Sequence, residues 1–212
     1  MCQACSICCM VCERNDFVRV IAGENKGRAL HTVSSQLTRP TTDKVKETIF
    51  NMIGPYFDGG TVLDLYAGSG GLAIEALSRG ASEAVLVDKA AAACRMIREN
   101  IRNCRYEDRT SLLHMDAKRA LETLADASRQ FDYLFLDPPY AHQQMTRDIS
   151  FLIDHHMLQE HAILVAEYED TIQLPETFAG GLVLWKYRTF QGKTAVSIYR
   201  FESQVTEGLQ NE

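Results

Sequence analysis

The 212-residue chain has no stretch approaching the roughly 18 consecutive apolar residues that a membrane-crossing helix needs, and nothing in it reads as a span. It also lacks an excess of positive charge: 22 Lys and Arg stand against 28 Asp and Glu, a net charge of −6. That is unusual for a nucleic-acid binder, whose affinity normally leans on phosphate contacts. The deficit is not uniform, however. Between residues 19 and 47 the cations Arg19, Lys26, Arg28, Arg39, Lys44 and Lys46 face only Glu24, Asp43 and Glu47. A chain polarised in this way can dock one basic face on an anionic polymer while its acidic remainder stays solvated; the plainer alternative is a charged surface with no partner. Cysteine is scarce in the body of the chain, where only Cys94 and Cys104 occur, whereas Cys2, Cys5, Cys8, Cys9 and Cys12 crowd the start. The crowding superficially suggests a metal or iron–sulfur site, but no second ligand cluster accompanies it. The start also lacks the basic residues and unbroken apolar stretch of a signal peptide. Residues 1–17 are therefore expected to be a tail or an upstream extension, with Val18 as the initiator. His155, His156 and His161 show no H-E-x-x-H or other ligand spacing, so no metal is expected. Internal repeats are absent as well. At 46% hydrophobic and 24% charged residues, the chain can bury a full core and is most simply one domain.

Two constellations carry the chemistry. The first is Asp137-Pro138-Pro139-Tyr140, at the end of the apolar run Phe131-Asp132-Tyr133-Leu134-Phe135-Leu136. Neither proline has an N–H and both fix φ, so the Asp137 carboxylate and the Pro138 carbonyl are left as acceptors in a stiff turn. An exocyclic amine supplies matching donors, and Tyr140 offers a ring for stacking on a heterocycle. The bland alternative is a proline-terminated strand entering a turn. The second constellation is Asp64-Leu65-Tyr66-Ala67-Gly68-Ser69-Gly70-Gly71-Leu72-Ala73, read as strand end, glycine loop and helix start. Gly68, Gly70 and Ala73 fit the dinucleotide fingerprint, and Asp88 follows at the spacing of a ribose-binding acid. Asp64 argues against a pyrophosphate there, since like charges would meet at the strand end. A cofactor with an amine and a sulfonium fits better. S-adenosylmethionine has both, with Asp64 near its amino group, Gly68 and Gly70 beneath its methionine part and Asp88 accepting from its ribose.

Periodicity predicts a small hairpin (19–23 and 28–33) carrying Lys26 and Arg28 outward, a polar loop over 34–42, and a helix entered at Asp43 with Val45, Ile49, Met52 and Ile53 on one face. Strands at 61–65, 84–88, 111–114, 131–137 and 162–167 alternate with helices at 71–79, 90–103 and 117–127. Two further strands, 182–187 and 194–201, have no helix between them and read as an antiparallel hairpin. The expectation is an α/β fold with a seven-stranded, mostly parallel sheet whose strands ending at Asp64 and Asp137 are neighbours at the topological switch point. The boundaries expected are a tail at 1–17, a hairpin, loop and helix at 18–58, a core at 59–202 and a polar tail at 203–212. His142 reads as a loop residue, and Trp185 and Tyr187 as core or sheet-face residues.

The glycine loop and the Asp-Pro-Pro-Tyr turn together are similar to the class I methyltransferases that modify exocyclic amines of bases. Arg19-Val20-Ile21-Ala22-Gly23, Lys26-Gly27-Arg28-Ala29-Leu30 and Thr38-Arg39-Pro40-Thr41-Thr42-Asp43-Lys44-Val45-Lys46-Glu47, in that order before the loop, further resemble the RsmD family of 16S ribosomal RNA (guanine-N2)-methyltransferases. The likeness runs from about Val18 to Phe201. It implies a Rossmann-like cytoplasmic enzyme that methylates guanine 966 of 16S RNA from S-adenosyl-L-methionine. Its substrate would be the RNA within an assembled or assembling 30S subunit. By this resemblance Asp137, Pro138, Pro139 and Tyr140 are catalytic. Asp64, Tyr66, Ala67, Gly68, Ser69, Gly70, Asp88, Lys89, Asp116 and Ala117 would hold the cofactor, with Asp116 meeting the adenine amine. The alternative for Asp116 is a helix N-cap before 117–127. RNA contacts would come from Lys26, Arg28, Arg39, Thr41, Thr42 and Lys46. Asn100 falls where the family also carries an Asn, or is a helix-surface residue. Three alternatives stay open at this point: a DNA adenine or cytosine amino-methyltransferase, a nicotinamide oxidoreductase, and a noncatalytic nucleotide-binding module.

Overall fold

A computed structural model of the chain describes residues 18–32, 43–138, 141–190 and 193–202. The expectations for residues 1–17, for Arg39, Thr41 and Thr42, for Pro139 and Tyr140 and for 203–212 lie outside the described residues. The elements are β1 (Val18–Arg19), β2 (Ala29–Leu30), α1 (Asp43–Ile53), β3 (Thr61–Asp64), α2 (Gly71–Ser78), β4 (Glu83–Asp88), α3 (Ala91–Cys104), β5 (Thr110–His114), α4 (Ala117–Asp126), β6 (Phe131–Leu136), α5 (Ala141–Asp154), β7 (Leu158–Glu169), β8 (Thr177–Phe178), β9 (Leu182–Phe190) and β10 (Thr194–Phe201). One sheet runs β5-β4-β3-β6-β7-β10-β9-β8, and β1 and β2 form a separate antiparallel pair. The strands from β5 to β7 are mutually parallel, while β10 is antiparallel to β7 and to β9. The seven expected strands are all present, and β8 adds a two-residue eighth at the edge.

Each face of the sheet is covered because the central strands are apolar on both sides, as parallel strands between helices are. On one face α1, α2 and α3 pack Ile49, Phe50, Ile74, Leu77, Ile97 and Ile101 on Val62, Leu86 and Phe135. On the other, α4 and α5 bring Leu121, Leu124, Met145, Ile149 and Leu152 onto Leu63, Val85 and Leu134. Helix α5 was not anticipated; His142 belongs to it rather than to a loop. No helix among the described residues is long and apolar enough to cross a membrane.

The amino-terminal pair is shorter than expected because most of its span is turn. Val20 N donates to Arg28 O at 2.9 Å and Gly27 N to Val20 O at 2.8 Å. The turn docks on the carboxyl end of α2: Glu24 N donates to Ser78 O at 2.9 Å, and a Cβ at Gly23 would fall 1.7 Å from that oxygen, so only glycine fits. One buried carboxylate fixes this docking. Glu75, on α2, accepts from Ile21 N (2.8 Å), Ala22 N (3.0 Å) and Arg79 Nε (2.7 Å) and pairs with Lys46 Nζ at 3.3 Å.

Lys46 was expected to reach RNA, and the structure overturns that. Its side chain is 1% exposed, and Nζ also donates to Arg19 O at 2.5 Å. Lys46 lies three residues before Ile49 and four before Phe50, so helical geometry puts it in the buried stripe of α1. Burial lowers its pKa, with the Glu75 charge opposing the shift.

Replacing Glu75 by Ala should lower the unfolding free energy by about 3–5 kcal/mol, because it strands two buried cations. Urea unfolding followed by circular dichroism tests this; a loss below about 1 kcal/mol would show that the cluster is not what pins the hairpin.

Candidate active site

Strand order reverses between β3 and β6, where chain connections leave in opposite directions and open a crevice beyond the strand ends. β3 delivers Asp64 there and β6 delivers Asp137, one residue past its last pair with β7. Leu65 N donates to Phe135 O at 3.1 Å, so the two strands stay paired up to the edge. Asp64 pairs in register with Phe135, and Asp137 follows two residues later on the same face.

The loop after Asp64 is tied to its surroundings on every side. Ala67 N donates to Val87 O (2.9 Å), Gly70 N to Ala67 O (2.6 Å) and Gly68 N to Asp88 Oδ2 (2.9 Å). Gly68 and Gly70 both have positive φ, 55° and 79°, and Gly70 precedes the first residue of α2 in that left-handed state. Asp88 Oδ1 accepts from Ala90 N at 2.7 Å, so this acid shapes the loop and the start of α3 as well as facing the crevice. Asp64 Oδ2 accepts from Ala73 N at 3.3 Å in the first turn of α2.

Sequence reasoning left Asn100 open, and the structure decides against a surface residue. It is fully buried; its Oδ1 accepts from His31 N at 2.8 Å, and Nδ2 donates to His31 O and Ser69 O, both at 2.9 Å. The amide clamps the glycine loop to the segment that follows β2. Tyr66 is also more than a loop residue. Its hydroxyl donates to the buried Asp148 Oδ2 and accepts from Gln144 Nε2 at 2.8 Å, joining the end of β3 to α5. Burial, with the Asp148 charge behind it, raises the phenol's pKa. No sequence signal marked Asp148 or Gln144, since α5 itself went unread.

The remaining candidates separate into two groups. Lys89 is exposed beside Asp88, and Ala117 is buried at the start of α4. Asp116 Oδ1 accepts from Arg119 N at 3.1 Å, so the N-cap reading is realised. Pro138 is buried behind Asp137. Lys26 and Arg28, by contrast, are not brought to the crevice. The turn bearing them docks at the carboxyl end of α2, about 12 Å along the helix from Gly70. Arg28 Nη1 there donates to Asn103 O at the end of α3.

Two carboxyls sharing one low-dielectric crevice interact. Burial pushes Asp64 up to about 7, with the charges of Asp137 and Asp88 adding to the rise and amide donors at Ala73 and Tyr66 opposing it. Burial raises Asp137 to about 6. Such a pair attracts a cationic ligand and repels a phosphate, and it can hold a proton near neutral pH.

Comparison with known proteins came out consistently. The family model described as "Conserved hypothetical protein 95" matches residues 18–200. The chain is 46% identical over 183 residues to the "Putative rRNA methyltransferase YlbH" of Bacillus subtilis, covering 86% of this chain and 98% of that one. It is 31% identical over 189 residues to the "Ribosomal RNA small subunit methyltransferase D" of Escherichia coli, covering 88% and 91%. Among solved structures, the "Putative methyltransferase yhhF from Escherichia coli" superposes with a TM-score of 0.76 at 29% identity, over 89% of this chain and 99% of that one.

The raised carboxyl of Asp64 has a testable cost. Between its ordinary value of 3.8 and about 7 the folded chain holds a proton that the unfolded chain has released, so stability falls as pH climbs through that window. Asp64→Asn should therefore stabilise the protein little at pH 4 and by a few kcal/mol at pH 8, read by urea titration. Equal gains at both pH values would rule out burial of the charge as the cause.

Proposed function

The chain belongs to the Conserved hypothetical protein 95 family, the RsmD family of ribosomal RNA methyltransferases, and from that premise we propose that it methylates the exocyclic N2 of a guanine in 16S RNA. The nucleotide implied is guanine 966, in RNA of an assembled or assembling 30S subunit in the cytoplasm. The observation that supports this most is the arrival of Asp64 and Asp137 on one face of the sheet, from adjacent strands, at one crevice. Both curated relatives described above are named for ribosomal RNA, which favours RNA over the DNA bases that other Asp-Pro-Pro-Tyr enzymes modify.

The residues fit S-adenosyl-L-methionine as the methyl donor. Asp64 and Asp88 offer acceptors to an amine and a ribose diol and would repel a dinucleotide's phosphates. When bound, this cofactor supplies an electrophilic methyl group on a sulfonium. Tyr66, Ala67, Ser69 and the two loop glycines line the path between those acids, with Lys89, Asp116 and Ala117 toward the adenine end.

The chemical difficulty lies in the nucleophile, since the N2 lone pair of guanine is delocalised into the ring. Asp137 and the Pro138 carbonyl, accepting the two N–H bonds, hold the amine where its lone pair can leave the ring plane; by the family resemblance Pro139 and Tyr140 share this role, with Tyr140 stacking on the base. Orientation of this kind is worth several kcal/mol, up to about 7–11 in the best intramolecular cases. Positive charge develops on the amine as the bond forms, and the Asp137 carboxylate stabilises it. With a carboxyl near 6, Asp137 Oδ can also receive the proton that N2 loses. The target guanine must be unpaired or flipped to enter. Arg39, Thr41 and Thr42 are RNA contacts by the family resemblance alone. Lys26 and Arg28 would serve a part of the RNA lying over the far end of α2.

Asp137→Ala should cut methyl transfer to unmethylated small-subunit RNA on the order of 100- to 1,000-fold. Affinity for S-adenosylmethionine, measured by calorimetry, should stay nearly unchanged, whereas Asp64→Ala should weaken it. Mass mapping of RNA from cells with and without the gene should show one missing N2-methylguanine; an unaltered map would sink the proposal.

A further inference from the structure

Trp185 and Tyr187 in the antiparallel hairpin of β9 and β10 were expected to be core or sheet-face residues, and they lie on the sheet face, partly exposed. Trp185 is 38% exposed, Val183 40% and Tyr187 54%. Trp185 is the bulge residue of the pair: Leu184 faces Tyr199 and Lys186 faces Ile198, so Trp185 has no partner of its own. The extra residue breaks the alternation of the strand and brings neighbouring side chains together on one face. Lys186 Nζ sits 3.7 Å from the Trp185 ring centroid and the Arg200 guanidinium 4.0 Å. Lys186 is held there by donating to Met52 O at the end of α1, at 2.5 Å.

The charge of this hairpin is as distinctive as its aromatics. Residues 182–201 contain Lys186, Arg188, Lys193 and Arg200 and no acid, in a chain whose net charge is −6. Glu167 and Glu169, on β7, are separated from β9 by β10, and Glu176 and Glu202 border the lower end. The hairpin also stands beside the crevice. Arg188 pairs with Val196 and Val196 with Glu167, one residue beyond the Leu136–Ala166 pair, so Arg188 lies level with Asp137. Three strand spacings separate them, about 14 Å. Arg188, Lys186 and Arg200 lie on the same side of the sheet as Val196 and Ile198, the side that also carries Asp64.

We propose that this face, with Trp185 as stacking platform and Arg188 and Arg200 as phosphate contacts, binds the single-stranded RNA flanking the target guanine. The proposal rests on RNA being the substrate. Ring and cation together are what an unpaired strand requires: any base has a π-face to stack on the indole, and the guanidinium groups meet the backbone on either side. A protein partner would also accept an aromatic patch, but an acid-free strip beside a nucleotide site favours a polyanion.

Trp185 is the single tryptophan of the chain, so intrinsic fluorescence reports on this face alone. Titrating unmethylated small-subunit RNA into the intact protein should quench Trp185 emission, and S-adenosylmethionine alone should not. Trp185→Ala should raise the RNA KM about 5- to 100-fold at nearly constant kcat, and Trp185→Phe should restore most of it. Arg188→Ala and Arg200→Ala should each reduce the salt dependence of RNA binding by about 0.7 in log–log slope. Unchanged emission with RNA that is methylated normally would overturn the proposal, as would a blue shift that grows with protein concentration, which would give the face to a second copy. If no RNA accepts a methyl group yet RNA still quenches Trp185, the assigned activity fails and the RNA subsite stands.

Discussion

The Glu75 carboxylate is the constraint on which the rest of the architecture depends. It is fully buried in α2 and collects donors from three directions: the backbone after β1, the Lys46 ammonium from α1, and Arg79 one helical turn away. Removing three charged groups from water costs several kcal/mol per ion, and only complete pairing offsets it. One carboxylate here serves two cations, and backbone carbonyls take further donors from both. Arg79 also donates to Pro55 O at 2.9 Å and stacks at 4.7 Å on Phe50, while Lys46 donates to Arg19 O. The result is an amino-terminal segment welded to the helix that begins at the glycine loop. Asn100 repeats the arrangement at the other end of that segment, holding His31 and Ser69 with one amide. Hairpin, loop and helix are therefore joined by buried polar contacts at both ends.

Against that rigid frame the crevice is deliberately costly. Asp64 and Asp137 are brought together in a region dry enough to raise both carboxyls toward neutrality. Such strain is what a site for a cationic donor and a developing cation looks like before its partners arrive, because a charge inserted between the two acids relieves the repulsion that raised them. The Tyr66 to Asp148 bond carries the frame across to α5, which begins at Ala141, directly after the Asp-Pro-Pro-Tyr sequence. Cofactor side and base side are thereby linked through side chains as well as through the paired strands.

Much of this was legible in the sequence, for identifiable reasons. Central parallel strands are buried on both faces and announce themselves as apolar runs, so β3, β4 and β6 fell within a residue or so of expectation. The misses each have a physical cause. In α5, Met145, Ile149 and Leu152 recur at helical spacing, but the polar start of the segment and the two prolines before it masked the period. β8 is two residues long and carries no pattern at all. Lys46 was assigned to RNA through the family resemblance, when its place in the stripe with Ile49 and Phe50 decides. The exposure of Trp185 depends on a bulge, and a one-residue irregularity in strand pairing leaves no trace in composition.

The same reasoning resolves the oddity of an acidic chain that acts on RNA. A uniformly basic protein would bind phosphates everywhere and place the reacting base nowhere in particular, since backbone contacts carry no register by themselves. Here several cations are tied up within the protein: Lys46 and Arg79 in the core, and Arg109 on Glu24 and the backbone near Ser82. The acid-free hairpin keeps its cations at the surface, and Arg188 stands level with Asp137 on the crevice side of the sheet. Negative charge over the remainder then narrows the orientations in which a polyanion can approach, so the net charge of −6 acts as a filter on how RNA approaches rather than as an obstacle to binding it.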